Sequence, residues 1–302
     1  MFQKLGKSLW FFVGVLMLLG SCAKEEKKEV YEDLILKGNP VPSYSGVTGL
    51  QIKNYINKTK IDLLGEQPTE AEFSQWMDFL IEEELSDSSR AVMAANFMGD
   101  MRYYDRFFEW NSANMLEAIN YAIIDTQISE LEYVIYLQYA NGDTLEAQLL
   151  EKENIKLQLL RDAAAELRNE NIDVSEFYTR MVNNDFYDEI NMGTENFVIA
   201  TFENLAGRLP TQYELQNGKA MVDGDLAILF LENGNTKDDF MEIFMHSEAF
   251  YQGIVQLQFD FLLARNANAS ELETLLPILK DQGDIRPVQT FILSTDEYAG
   301  FE

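Results

Sequence analysis

Leu205-Ala206-Gly207-Arg208-Leu209-Pro210-Thr211-Gln212-Tyr213-Glu214-Leu215 decides the fold, because it recurs. Leu63-Leu64-Gly65-Glu66-Gln67-Pro68-Thr69-Glu70-Ala71-Glu72-Phe73 is a second copy, and Leu263-Ala264-Arg265-Asn266-Ala267-Asn268-Ala269-Ser270-Glu271-Leu272 a third. Thr126-Gln127-Ile128-Ser129-Glu130-Leu131-Glu132-Tyr133 reads as a degenerate fourth. Each copy ends one helix, spends a few residues on a link, then sets Ser, Thr or Asn three positions before Glu. That is a capping box: the cap side chain accepts from the third backbone N–H, and the Glu reaches back to the N–H of the cap. Thr69, Ser129, Thr211 and Asn268 are therefore expected to be N-caps, answered by Glu72, Glu132, Glu214 and Glu271. Removing such a cap costs about 1 kcal/mol.

A second element follows each cap. Phe97-Met98-Gly99-Asp100-Met101-Arg102-Tyr103 matches Phe244-Met245-His246-Ser247-Glu248-Ala249-Phe250 and Ile292-Leu293-Ser294-Thr295-Asp296-Glu297-Tyr298. Met181-Val182-Asn183-Asn184-Asp185-Phe186-Tyr187 matches more weakly. In each, an apolar helix end is followed by a new helix start, and an aromatic returns to the core. The order of the two elements is kept while their spacing varies, as in diverged modules with insertions. The longest gap holds a charged helical stretch, Leu145 to Glu170.

Between these landmarks apolar residues recur at three- and four-residue spacing, as in Phe73, Trp76, Met77, Leu80 and Ile81, and no sustained period-two alternation appears. That is the pattern of amphipathic helices. The body is expected to be all-α, about four diverged helical modules over 50–115, 116–193 (with the insertion), 194–254 and 255–302.

Two helices bracketed by Leu-Leu-Gly-Arg-x-Pro-Thr-x-x-Glu and apolar-apolar-x-Ser-x-Glu-Tyr resemble a family of bacterial repeats related to phycobilisome-linker domains. The pattern is also similar to helical domains of planctomycete-type surface proteins. The resemblance covers most of residues 50–302. It departs at Glu66, which stands where the pattern has Arg, and in module 2, where both elements are eroded. It implies an extracytoplasmic helical scaffold and supplies no catalytic residues.

The start of the chain carries an address. Lys4 and Lys7 precede an apolar run from Leu9 to Leu19. The run is too short for a bilayer span of roughly 20 residues and suits a secretory signal. It leads into Leu18-Leu19-Gly20-Ser21-Cys22, which resembles the lipobox of bacterial lipoproteins. That resemblance implies removal of residues 1–21 and acylation of Cys22, so that several acyl chains anchor the protein in the outer membrane. Ala23-Lys24-Glu25-Glu26 is similar to the surface-export signal of Bacteroidota lipoproteins, which implies display on the cell surface through Lys24, Glu25 and Glu26. Residues 22–49, with Gly38-Asn39-Pro40, Pro42-Ser43 and Ser45-Gly46, read as a flexible tether.

Composition narrows the chemistry. The 302 residues hold 51 Asp+Glu against 23 Lys+Arg, a net charge of −28, with one Cys and one His. Phosphate backbones are bound by basic stripes, so a nucleic-acid partner is not expected. A lone Cys excludes an intramolecular disulfide, and one Cys with one His excludes the usual zinc sites. His246 stands where sister modules have Gly99 and Ser294, which is the behaviour of a loop filler. Asp223-Gly224-Asp225 and the acidic run around Asn233-Gly234-Asn235 lack the twelve-residue order of a calcium loop, so turns are expected there. No catalytic set, metal or cofactor is expected.

The aromatic-rich run 101–110 offers both core and surface residues: Tyr103 and Phe107 read as core, while Tyr104, Arg106 and Trp110 are the candidate interface, being the residue types that anchor protein contacts. Two readings of function follow. One is a non-catalytic, lipid-anchored adaptor or scaffold that binds an envelope protein in an outer-membrane complex for secretion, gliding or uptake. The other is a surface lipoprotein that binds or hydrolyses glycan, which requires exposed Trp or Tyr in a concave cleft.

Overall fold

The computed structural model of the protein describes residues 46–301. Cys22, Lys24, Glu25, Glu26 and the tether as far as residue 45 lie outside the described residues. Among the described residues there are 15 helices and one two-stranded hairpin, so the body is all-α.

Module 1 comprises α1 (Gly49–Leu64), α2 (Glu70–Glu82), α3 (Asp87–Met98) and α4 (Arg102–Met115). Module 2 comprises α5 (Tyr121–Asn141), α6 (Thr144–Arg168), α7 (Val174–Val182) and α8 (Asp185–Ile190). Module 3 runs through α9 (Thr194–Ala206), α10 (Gln212–Val222), the antiparallel strands β1 (Ala227–Leu229) and β2 (Glu232–Gly234), and α11 (Lys237–Met245). Helix α12 (Glu248–Leu263) closes module 3 and opens module 4, which continues with α13 (Ala269–Gln282), α14 (Arg286–Leu293) and α15 (Asp296–Ala299).

Local chemistry explains the links. Thr69, Thr211 and Asn268 cap α2, α10 and α13 with complete capping boxes, Glu72, Glu214 and Glu271 each accepting from the backbone N–H of its cap at 2.7–2.8 Å. The helix before each link ends in a left-handed residue. Gly65 at φ 72° and Gly207 at φ 63° take that conformation without penalty, whereas module 4 uses Ala264 at φ 52°. Thr48 and Gln51 form a further capping box on α1.

Module 2 is where the sequence reading needs correction. Ser129 is not a cap: it lies inside α5, and its hydroxyl donates to the Asp125 carbonyl at 2.9 Å. The cap is Asn120, whose side chain accepts from the Ile123 N–H at 3.1 Å. The link precedes it, with Glu117 and Ala118 both at positive φ, and position 123 holds Ile rather than Glu. Only half a box forms, so the sequence signature vanished there while an unrelated Ser-x-x-Glu inside the helix imitated it.

The modules interlock rather than stack as separate units. α12 carries Phe250 of one element near its start and the Leu262-Leu263-Ala264-Arg265 ending of the next at its close, so a border at 254/255 runs through a continuous helix. The chain ends do the same with two helices: α15 packs on α1, and α14 packs on α3. Tyr298 donates to Asp62 at 2.7 Å, Tyr55 to the Leu293 carbonyl at 3.0 Å, and the Gln51 amide to the Gly300 carbonyl at 2.8 Å. A core of buried Ile, Leu, Val, Met, Phe and Tyr is continuous through all four modules. α12 crosses α9 so closely that a Cβ at Gly253 would sit 2.0 Å from the Leu205 carbonyl oxygen.

Candidate functional site

Helix α4 presents the run singled out in the sequence, and most of that run is core. Tyr104, expected at an interface, is only 6% exposed, so it cannot anchor a partner as a surface residue. Tyr103 is buried and donates to Gln289 at 2.6 Å. Phe107 meets Phe177 at 5.0 Å between ring centroids and Phe108 stacks on Tyr121 at 4.8 Å. Trp110 is half-buried against Phe261, with centroids 4.5 Å apart. Arg106 lays its aliphatic stem over Gly65 and its head lies 3.5 Å from Glu109. The physical reason is position: α4 joins modules 1 and 2 and touches α1, α6 and α7, so three of its sides are covered.

Tyr104 does border a cleft of about 880 Å³ between α4, the start of α7, α11 and the α13–α14 link. Six carboxylates line it, and the geometry commits several of them to structure. Asp173 caps α7 by accepting from the Glu176 N–H at 2.9 Å. Asp284 accepts from the Arg286 N–H at 2.9 Å and from its guanidinium at 2.8 Å, while Glu176 holds Arg180 at 2.8 Å. Burial pushes the Tyr103 and Tyr104 phenols up, and neither ring is open for a sugar to stack on. His246 is exposed at the end of α11, its Nδ1 2.8 Å from the Glu242 carbonyl. Among the described residues no group of three or more His, Cys, Asp or Glu could hold a metal ion. The Asp239 carboxylate, in the run that invites a calcium reading, accepts from the Asn235 N–H at 2.8 Å beside the Thr236 cap of α11.

The feature that sequence reasoning missed is the α5–α6 hairpin. The two helices pack along each other through Ile124, Ile128, Leu131 and Ile135 on one side and Ala147, Leu157 and Leu160 on the other. A single seam satisfies that pairing. Yet Tyr133, Val134, Tyr136, Leu137 and Tyr139 of α5, and Leu145, Leu149, Ile155 and Leu159 of α6, are exposed, Tyr136 at 67% and Leu145 at 69%. Isolated exposed apolar residues are ordinary; here they are concentrated on one supersecondary unit. The signal was present in the sequence: Tyr133-Val134-Ile135-Tyr136-Leu137 has more large apolar side chains than one helix face can bury.

Among the described residues no helix is long and apolar enough to cross a membrane. Compared with known proteins, the chain matches no family model, and no curated protein and no solved structure matches it significantly.

Proposed function

We propose that the protein is a non-catalytic adaptor, anchored in the outer membrane through an acylated Cys22 and displayed by Lys24, Glu25 and Glu26, that holds another envelope protein on the α5–α6 hairpin. The observation that carries the reading is the exposure of Tyr133, Tyr136 and Tyr139 on α5 and of Leu145, Leu149 and Ile155 on α6, the long helix that module 2 has in addition. The remaining helices form an interlocked body that holds the hairpin. Tyrosines give a large apolar contact with few rotatable bonds, which is why they recur as binding anchors. α5 contributes only acidic charges and α6 adds Lys152, Lys156, Arg161 and Arg168, so the partner meets exposed apolar side chains with both signs beside them.

Support against the glycan reading comes from the same geometry: the exposed tyrosines, Tyr133, Tyr136 and Tyr139 on the hairpin and Tyr213 on α10, lie outside the cleft, and the tyrosines of the cleft are buried. The test is a photo-crosslinking amino acid placed at Tyr136, with Tyr213 on α10 as an exposed control, in the native envelope. One discrete envelope protein joined from position 136 and not from 213, and lost when Tyr133 is changed to Ser, is the expected result. No adduct, adducts with the chain itself alone, or turnover of a glycan by the purified protein would overturn it.

A further inference from the structure

Arg208 and Arg265 occupy the same place, three residues before a capping-box cap, and make the same bonds on one side. Each grips the capping Glu with two parallel bonds: Arg208 to Glu214 at 2.9 and 2.7 Å, Arg265 to Glu271 at 2.9 and 2.8 Å. Each also donates to the next residue's carbonyl, that of Leu209 or Asn266. Their other edges differ. The Nε and Nη2 of Arg265 both reach Glu297 at 2.6 Å, a planar fork on a carboxylate. Glu297 stands two residues after the cap Thr295, and the same place in module 3, two residues after Ser247, is Ala249. Among the described residues Arg208 has an ion pair with Glu214 alone. In a chain with more than twice as many acids as bases, an arginine edge without a carboxylate is a deletion from the repeat pattern rather than a shortage of partners.

Arg208 and Ala249 both line a groove of about 1010 Å³ that Glu214 does not, together with Lys280 and the carboxylates of Glu203, Glu232, Glu248 and Asp260. The far wall is the β1–β2 turn, Phe230-Leu231. Arg208 lies 5.2 Å over the Phe202 ring, and Phe202 meets Phe230 at 6.2 Å, so the guanidinium and the turn are joined through one aromatic. A two-residue hairpin loop with both residues at positive φ calls for Asn and Gly. Here it is Phe230 at φ 50° and Leu231 at φ 72°, with Leu231 95% exposed. Strained backbone that carries an apolar side chain into solvent is a feature of ligand clamps.

We propose that this groove binds the side-chain carboxylate of a glutamate in an apolar segment of a partner polypeptide. The glutamate gives Arg208 in trans what Glu297 gives Arg265 within the chain, and the Phe230–Leu231 turn covers the neighbouring apolar residues. This site is separate from the α5–α6 face and stands without it.

The experiment follows the Arg208 Nε–H signal in 1H–15N spectra of the full chain while acetyl-Leu-Glu-Leu-amide is added. A saturable shift is expected, at least about tenfold weaker with acetyl-Leu-Gln-Leu-amide, because the charge-assisted fork is lost. Arg208→Gln removes the site but also takes from Glu214 its ion pair, so the decisive variant is Ala249→Glu. It completes the pattern of module 4, is expected to keep or raise the melting temperature, and should weaken peptide binding at least about tenfold by occupying the Arg208 edge itself. An equal response to the Gln peptide, an equal response to acetate alone, or undiminished binding by Ala249→Glu would each overturn the proposal.

Discussion

Arg102 donates to Glu66 at 2.6 Å, and this pair is the Arg265–Glu297 contact of module 4 with its charges exchanged. Glu66 stands three residues before the cap Thr69, as Arg265 does before Asn268; Arg102 stands two after Asp100, as Glu297 does after Thr295. The exchange leaves the capping Glu72 without its arginine, and Lys60 from inside α1 replaces it, with its ammonium 2.9 Å from both carboxylate oxygens of Glu72 and 3.0 Å from Glu66. The departure of Glu66 from the repeat pattern is thus compensated at two positions, one of them a buried lysine.

Exchange predicts rescue. Glu66→Arg alone sets a cation against Arg102 and Lys60, and Arg102→Glu alone sets an acid against Glu66 and Asp100, so each should lower the melting temperature. The double variant should recover part of the loss, since it restores the Arg–Glu pair while Lys60 and Asp100 still face like charges, and thermal melts of all four proteins give the coupling. A double variant as unstable as the two losses combined would show that the pair is incidental.

Caps separate from look-alikes by stability. Thr69→Ala, Thr211→Ala and Asn268→Ala should each cost about 1 kcal/mol in denaturant unfolding, because each takes away the side-chain acceptor of the third helical N–H, that of Glu72, Glu214 or Glu271. Ser129→Ala should be neutral or slightly stabilising, since alanine is the better residue inside a helix and the Ser129 hydroxyl bonds back to Asp125. A loss at Ser129 equal to that at Thr211 would contradict the placement of α5.

How far the fold could be read from sequence follows from the same residues. Thr69, Thr211 and Asn268 were legible because a complete capping box is a local signature with fixed spacing. Asn120 was not, because Ile123 replaces the reciprocal Glu and the remaining cap looks like any Asn before an apolar run. That α15 docks on α1 rests on contacts such as Tyr298 with Asp62, more than two hundred residues apart, which no local pattern encodes. The run 101–110 misled for a related reason: composition marks Tyr104 and Trp110 as suited to an interface, but exposure depends on which neighbours arrive, and α4 receives them on three sides.

Acid should loosen the links first. The backbone N–H of Thr69, with help from Lys60, holds the Glu72 carboxyl down at about 2; burial pushes Glu214 up, but Arg208 and Thr211 outweigh it and bring it to about 2 as well. A folded-state value below the unfolded one contributes stability above the unfolded value, and that stability is lost as pH falls toward the folded value. Stability should therefore decline as pH drops from about 4.5 toward 2, and Glu72→Gln and Glu214→Gln should flatten the decline while lowering stability at pH 7. Denaturant midpoints measured across that range decide it, an unchanged slope in both variants counting against these carboxylates.

Ala264 gives a prediction of opposite sign. It stands at φ 52° where modules 1 and 3 have Gly65 and Gly207, and a side chain in the left-handed region is strained. Ala264→Gly relieves the strain and gives back part of the gain through the freer unfolded chain, so a net stabilisation of about 0.5–1 kcal/mol is expected in denaturant unfolding. A loss of stability would mean that the Ala264 methyl packs usefully.

Stability and partner binding should come apart between α4 and the α5–α6 hairpin. Trp110 is half-buried with its ring on Phe261, so Trp110→Ala removes packing and should cost about 2 kcal/mol of stability, below the range for a fully buried aromatic. It should leave crosslinking from position 136 intact at temperatures where the variant is folded. Tyr133 and Tyr136 are 63% and 67% exposed, so changing both to Ser removes little packing and should shift stability by no more than about 0.5 kcal/mol. If the hairpin holds the partner, the same pair should cost about 2 kcal/mol or more of affinity, since exposed aromatics become anchors only once a partner desolvates them. Denaturant unfolding and crosslink yield, measured on both variants, separate the two effects. Should Trp110→Ala abolish the crosslink with the fold intact while the tyrosine pair leaves it unchanged, the binding face belongs to α4, and the exposed residues of α5 and α6 are no more than surface.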